Sequence, residues 1–537
     1  MSAEAALFRE LRPAEGLRLS DLAREIPGDV SVRGDGGARV FGVHHDSRRV
    51  EPGDLFVARR GARTDGVRHV GDARARGAAA ILVHAGDAEA AAAAGLPSLV
   101  VDDAASGLAY AAAAVYGHPA FSLDIVGITG TNGKTTVSHL VRAAIDADAG
   151  APRCGLVGTV GHSFGPLHID AAHTTPEADE LARVLALMRR RGATHAAMEV
   201  SSIALVLGRV KAVRFRAAVF TNLTQDHLDF HGSMDAYGEA KARLFVDAAP
   251  GSAVVHVGDP FGKELARRVR GPLIRVTAAE GAAPGEAEVL VTRATLDARG
   301  IDAELRTPRG PVRLRSRLVG RHNLENLAVT IGVACALELD LGRVAGGLAE
   351  ELGAPGRLER CDGEGDDVTV AVDYAHTPDA LARVLDSARA VARGRLLCVF
   401  GCGGDRDAKK RGPMGEAVAS RADVAIVTND NPRTEDPRAI ARPIEEAIRA
   451  SGAAKIAVDA IASAARGYAV ELDRAAAIRA AILSARPGDV VIVAGKGHED
   501  YQVIGAEKRP FDDRVEARAA LAERRASSAS TKPRGGA

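Results

Sequence analysis

The chain has 537 residues, 46% of them apolar, 3% aromatic and none tryptophan, so several cores must be built from Val, Leu, Ile and Ala. Basic and acidic residues number 70 each, and a formal net charge of zero speaks against a nucleic-acid partner. Five scattered cysteines without C-x-x-C spacing speak against a disulfide scaffold or a zinc site and fit a reducing cytosol.

The opening residues, MSAEAALFRELRPAEG, mix charges without an apolar centre and are not read as a secretion signal. No apolar run reaches about 18 residues, so no membrane span is expected and a cytoplasmic location follows. Short β-branched runs then alternate with longer Ala/Leu/Arg stretches: Ala80–Val83, Ser98–Val101, Asp124–Thr129, Ala196–Val200, Ala217–Thr221, Ala253–Val257, Leu396–Phe400, Val424–Thr428 and Asp489–Ala494. Apolar runs bounded by Gly, Asp or Asn suit strands buried on both faces. Their alternation with helical stretches predicts βαβ units and α/β domains with mainly parallel sheets. Breaks at GHPAFSL (117–123) and GAPGRL (353–358) divide the chain into 1–122, 123–352 and 353–523. The polar end RRASSASTKPRGGA (524–537) is expected to be disordered.

Between the strand Asp124–Thr129 and the helical stretch Val137–Ala147 lies GTNGKTT, residues Gly130, Thr131, Asn132, Gly133, Lys134, Thr135 and Thr136. Glycines let a backbone turn and aim N–H groups inward, and the helix that follows presents its positive end to phosphate. Lys134 suits neutralising phosphate charge and the Thr135 hydroxyl suits ligating Mg²⁺. Ile128 stands where a strict Walker A pattern has Gly, so the loop is a variant of it. Nucleotide binding follows; a reaction does not, because kinases, motors, switches and ligases all use such loops.

TGTNGKTT, MEVSS (198–202), TNLTQDHLDFHG (221–232), the lysine of EAKARLF (Lys241), GRHNLEN (320–326), PGRLE (355–359) and DYAHTPDAL (373–381) occur in the order seen in the Mur ligases. The chain resembles that family, which builds the peptide of bacterial cell-wall precursors, over roughly residues 40–505. The resemblance implies a central P-loop ATPase-like domain flanked by an N-terminal UDP-binding domain and a C-terminal Rossmann-like domain. It implies ATP as co-substrate, magnesium held by Thr135, Glu199 and His227, and catalytic roles for Lys134, His227 and a carbamylated Lys241. Asn323, Arg357, Asp373 and His376 would meet the nucleotide as well. Taken singly, Glu199 could be a surface glutamate and His227 a satisfied loop histidine.

HHDSRRVEPGDLFVARRGARTDG (44–66) resembles the UDP-binding region of the family members that add the third residue. The resemblance implies that His45, Ser47, Ala62, Arg63 and Thr64 lie along the UDP of a UDP-muramoyl-dipeptide. His173, Thr174, Thr175, Ser201, Leu207 and Arg209 would continue that site. Ile203, Leu207 and His173 depart from the usual His, Gln and Asn there. CGGDRD (402–407), DNPR (430–433) and GKGHEDYQ (495–502) match motifs for meso-diaminopimelate, through Arg406, Asp430, Asn431, Pro432, Arg433, Gly495 and Glu499. That amino acid carries an ammonium and a carboxylate at its far end, and a pocket for it needs both signs of charge. A monomer is expected. The open alternatives are a lysine-adding relative, an enzyme of the folylpolyglutamate-synthase kind, and a P-loop ATPase switch without synthetic activity.

Overall fold

The computed structural model describes residues 3–61, 65–279, 281–283, 285–297, 300–363 and 365–530. It forms two compact units: residues 1–293, 304–313 and 325–348 in the first, and 294–303, 314–324 and 349–537 in the second.

Besides a two-stranded ribbon of Leu17–Arg18 and Arg39–Val40, the first unit holds two larger sheets. The smaller has the strand order Val30–Arg33, Ser98–Val101, Ala80–His84, Asp54–Ala58, Gly42–His44, parallel except at Val30–Arg33. The larger begins with the antiparallel edge Leu167–Ile169 and Gly161–Phe164. It continues in parallel through Cys154–Gly158, His195–Glu199, Asp124–Thr129, Phe215–Phe220, Ala253–His256 and Leu273–Thr277. The apolar runs are buried on both faces, as in Asp124–Thr129, where every residue after Asp124 is buried. Helices on either side complete the layers, and Leu181, Val184, Leu185 and Met188 of the helix Ala178–Arg190 pack into the sheet core.

The second unit has its own sheet, in the order Glu359–Arg360, Thr369–Asp373, Val490–Ala494, Leu396–Phe400, Val424–Val427, Gly467–Val470. It is parallel apart from its first strand. The expected α/β class with mainly parallel sheets is what the chain adopts. Among the described residues no helix is long and apolar enough to cross a membrane.

The segment from Arg524 does not begin a disordered tail, because the helix Asp513–Ser530 runs through it. The Arg524 guanidinium pairs with Asp367 at 2.7 Å and Arg525 with Asp366 at 2.8 Å, which ties a polar sequence to the sheet beneath. Residues 531–537 lie outside the described residues.

Candidate active site

The loop 130–136 leaves the C-terminal end of the central strand Asp124–Thr129 and enters the helix Lys134–Ala149. Gly130 has φ +147°, and a Cβ there would collide with the Thr221 hydroxyl, so only glycine lets the chain pass. The TNLT segment braces the turn. Thr131 N–H donates to Asn222 O at 2.8 Å, Asn132 N–H to Asn222 Oδ1 at 2.9 Å, and the Thr221 hydroxyl to Asn132 O at 2.6 Å. Lys134 folds back over the loop, its ammonium donating to Gly130 O and Thr131 O at 2.8 Å each. A cation, a glycine turn and a helix N-terminus thus converge at one point, which is what a bound phosphate requires.

Glu199 ends the neighbouring strand and is 1% exposed, so it is not a surface glutamate. Its carboxylate accepts from the Thr135 hydroxyl at 2.9 Å, from Thr159 N–H at 2.8 Å and from the Thr159 hydroxyl at 3.2 Å. Thr135 and Glu199 are therefore brought together beside the phosphate position, as hard oxygen donors of the kind Mg²⁺ selects. His227 sits at the start of the short helix Leu228–His231 with φ +51°, half-exposed, 3.6 Å from Asp226 and edge-on to Tyr237. The Lys241 ammonium lies 4.2 Å from the centre of that same Tyr237 ring, so His227 and Lys241 flank one aromatic side chain. Lys241 is 1% exposed and donates to Gly130 O at 2.8 Å. Burial, reinforced by the charge of Lys134, pushes its pKa well below the ordinary lysine value, toward the neutral amine. Among the described residues no group of three or more His, Cys, Asp and Glu side chains converges on a metal position.

Next to Glu199 stand several of the residues that the resemblance assigns to the UDP-substrate. The Thr175 hydroxyl donates to Glu199 O at 2.9 Å and accepts from Ser201 N–H at 3.0 Å, and Thr174 meets Thr159 at 3.1 Å. Arg209 donates to Thr175 O at 2.9 Å and pairs with Glu177 at 2.5 Å. The second oxygen of Glu177 takes Arg59 at 2.6 Å. His45 pairs with Asp179 Oδ1 at 2.8 Å, and Ser47 is buried close by in sequence. His173 and Leu207 are exposed, and Ala62, Arg63 and Thr64 lie outside the described residues. Glu177 and Asp179, which orient Arg209 and His45, are residues the motif reading passed over. Their signal was two carboxylates just after HTTP, at the start of a helix.

The His45–Asp179 pair titrates. Burial alone would lower the His45 pKa, but the charge and hydrogen bond of Asp179 raise it above 6.5. Burial opposes ionisation of Asp179 too, yet Arg183 and His45 hold it well below 3.8. A raised histidine stabilises fully below its unfolded value and loses that contribution as pH rises through its folded value. A depressed carboxylate contributes above its unfolded value and loses it as pH falls. The pair is therefore at full strength between about pH 4 and pH 6.5. Melting curves of the wild type and His45→Ala are expected to lie furthest apart near pH 6 and to approach each other above about pH 7.5; a gap constant with pH would contradict this.

In the second unit the assigned acceptor residues gather at the C-terminal ends of the strands, where open α/β sheets bind ligands. Asp430–Arg433 follow Val424–Val427, Gly495 and Glu499 follow Val490–Ala494, and Arg406 follows Leu396–Phe400. Arg433 (φ +53°) donates to Gly404 O at 2.7 Å and lies close to Gly403, where a side chain would press on its guanidinium; the Arg406 stem passes the same glycine at van der Waals distance. Asn431 donates to Glu499 at 3.0 Å. A further residue, Lys496, lies at the centre: its side chain is fully buried, 3.3 Å from Asp430 and 3.6 Å from Glu499, and it donates to Asn431 Oδ1 at 2.9 Å. Two carboxylates share this one internal cation, so negative charge is left over beside two arginines. Burial and the charge of Asp430 raise the Glu499 pKa, although Lys496 opposes the shift.

The remaining nucleotide-assigned residues also belong to the second unit. Asp373, buried at its strand end, accepts from Leu358 N–H at 2.7 Å and Ala375 N–H at 2.8 Å. The Arg357 guanidinium stacks 4.8 Å from the Tyr374 ring, and His376 stands 4.6 Å from that ring. Asn323 donates to Val319 O at 2.9 Å.

Fold and loop together define an α/β protein of the P-loop class. Family models match three stretches: residues 39–116 as Mur ligase family, catalytic domain; 128–334 as Mur ligase middle domain; and 356–497 as Mur ligase, glutamate ligase domain. The chain belongs to the Mur ligase family. It is 44% identical to a UDP-N-acetylmuramoyl-L-alanyl-D-glutamate--2,6-diaminopimelate ligase of Geobacter metallireducens, across 94% of this chain and 99% of that one. It is 46% identical to the protein of the same name from Streptomyces coelicolor, across 91% and 93%. A solved structure titled as that ligase is 31% identical, with a TM-score of 0.68, covering 95% of this chain and 99% of its own.

Proposed function

We propose that the chain joins meso-diaminopimelate to the D-glutamate γ-carboxylate of UDP-N-acetylmuramoyl-L-alanyl-D-glutamate at the expense of ATP, in peptidoglycan precursor synthesis. The observation that carries the reading is the second unit's mixed-charge cluster. Arg406 and Arg433 suit carboxylates, while the negative excess of Asp430 and Glu499 over Lys496 suits an ammonium. Relatives more than 40% identical over nearly the whole chain bear that activity in their names.

A carboxylate is a poor electrophile at neutral pH, so ATP activates it. A γ-carboxylate oxygen attacks the γ-phosphorus, ADP leaves, and an acyl phosphate results. The neutral amine of diaminopimelate adds to the acyl carbon, the tetrahedral intermediate expels inorganic phosphate, and the amine loses a proton to give the amide. Lys134 neutralises charge on the transferring phosphoryl group, and the loop N–H groups hold the phosphates in line. Thr135 and Glu199 would hold magnesium, which would supply positive charge to spread that of the phosphates. His227 supports the same region, and a neutral Lys241 amine is the form able to take up CO₂ as a carbamate. Asn323, Arg357, Asp373 and His376 serve nucleotide binding, and the working segments are 1–122, 123–352 and 353–523.

The expected result is that ADP release requires both the UDP-muramoyl-dipeptide and diaminopimelate, with ¹⁸O passing from the γ-carboxylate to phosphate. Release with neither substrate would identify an ATPase switch, and equal use of lysine would identify the lysine-adding activity. Arg433→Ala is expected to raise the diaminopimelate KM by roughly 10- to 100-fold while leaving the UDP-substrate KM unchanged.

A further inference from the structure

In the second unit the strands Tyr501–Ile504 and Glu507–Pro510 form an antiparallel hairpin of their own, outside the six-stranded sheet. Its hydrogen bonds run to the loop 430–433. Arg433 N–H donates to Val503 O at 3.0 Å, and Gly505 N–H donates to Arg433 O at 2.7 Å. The Gln502 amide donates to Asp430 O at 2.8 Å, and Val503 N–H to Asn431 Oδ1 at 2.9 Å. We infer that this hairpin is the positioning element of the acceptor pocket: it brackets Arg433 in a left-handed backbone conformation and so sets the preference for an amino acid with a distal carboxylate. The inference rests on the ligase reading above and adds the element that decides how well the acceptor is recognised.

The backbone of Arg433 is what calls for such a bracket. Its φ of +53° lies in a region that residues with a Cβ rarely adopt, and such a conformation persists only where the surroundings over-determine it. Here the hairpin takes both backbone polar groups of the residue, the N–H through Val503 and the carbonyl through Gly505. Relaxation to an ordinary conformation would break both bonds and swing the guanidinium away from Gly404 O. The same hairpin reaches the opposite charge in the pocket. Gln502 fixes the main chain at Asp430, and the Lys496 ammonium, 3.3 Å from the Asp430 carboxylate, donates to Tyr501 O at 2.8 Å. Asn431, 4% exposed, joins Val503 to Lys496 and Glu499 through its amide. A role in the core does not account for the hairpin. Every residue from Tyr501 to Pro510 is half-buried or exposed, and those from Ile504 onward are exposed.

Gly505→Pro removes the N–H that holds Arg433 O, at an exposed turn position with φ +61° that proline cannot take. In steady-state ADP release by the full chain, this variant is expected to raise the diaminopimelate KM roughly fivefold or more, with kcat and the UDP-substrate KM changed less than about twofold. Gln502→Ala should raise the same KM, and it decides the matter alone if the proline variant does not fold. Added to Arg433→Ala, Gly505→Pro should raise the KM no further, because the hairpin acts through that residue. An unaltered diaminopimelate KM, equal losses toward both substrates, or a full further rise on the Arg433→Ala background would each overturn the inference. Wild-type protein that releases no ADP with diaminopimelate would defeat the ligase reading itself, whereas normal wild-type turnover with unaltered variants defeats the hairpin's role alone.

Discussion

Replacing Lys134 by alanine should lower kcat by roughly 10³-fold or more while leaving the melting temperature nearly unchanged. This ammonium donates to two carbonyls of its own loop, Gly130 O and Thr131 O, both at 2.8 Å, backbone groups that solvent can satisfy in its place. Its removal therefore costs little in folding. The loss falls on the transferring phosphoryl group, whose negative charge then meets the loop N–H dipoles without the ammonium. Lys134→Arg should recover little, because the guanidinium is broader than the ammonium that the turn between Gly130 and Gly133 encloses. Steady-state ADP release and a thermal melt on the same preparation decide the matter. Near-normal turnover in the alanine variant would remove the loop from the chemistry.

The second large effect concerns stability. Arg474 and Asp513 are both fully buried and joined twice, Nε to Oδ1 at 2.7 Å and Nη2 to Oδ2 at 2.6 Å. The same guanidinium donates to Asn429 O at 3.1 Å and Ala494 O at 3.0 Å, the carbonyls just before Asp430 and Gly495. Arg474→Ala strands a buried carboxylate, the buried Ala494 carbonyl and the part-buried Asn429 carbonyl, and should destabilise the second unit by about 3–5 kcal/mol. The double variant Arg474→Met with Asp513→Leu should regain much of that stability, since no unpaired charge remains, but not the affinity for diaminopimelate, since the two carbonyls still lack their donor. Denaturant unfolding of all three proteins, with the diaminopimelate KM of the soluble ones, tests both halves. A loss below about 1 kcal/mol for Arg474→Ala would show the pair to be unimportant.

Phosphate loop and strands could be read from sequence because their signals are local. Glycines at 130 and 133 beside Lys-Thr-Thr, or a run such as Leu396–Phe400 between polar ends, carry their meaning within a few residues. Lys496, Arg474 with Asp513, and Glu177 with Asp179 were not legible in that way. Each acts through a partner brought close only by tertiary folding, and each alone looks like an ordinary solvated charge. Lys496 sits inside GKGHED, yet its burial against Asp430 depends on Val490–Ala494 and Val424–Val427 ending at the same edge of one sheet. The composition of RRASSAS pointed to disorder for a similar reason: the acidic partners of Arg524 and Arg525 lie more than 150 residues earlier.

Glu177 serves two guanidiniums with one carboxylate, at 2.6 Å to Arg59 and 2.5 Å to Arg209, and so leaves one positive charge over beside Thr175, where the proposed reading puts the UDP-substrate. The cluster around Lys496 has the opposite excess. A substrate with several negative groups is thus drawn in by a field that dissolved ions weaken, with a range of about 10 Å at 0.1 M salt. The KM for the UDP-substrate should climb with ionic strength, whereas that for zwitterionic diaminopimelate, which carries both signs in near balance, should stay almost level. The two substrates of one ligation would then respond to salt independently.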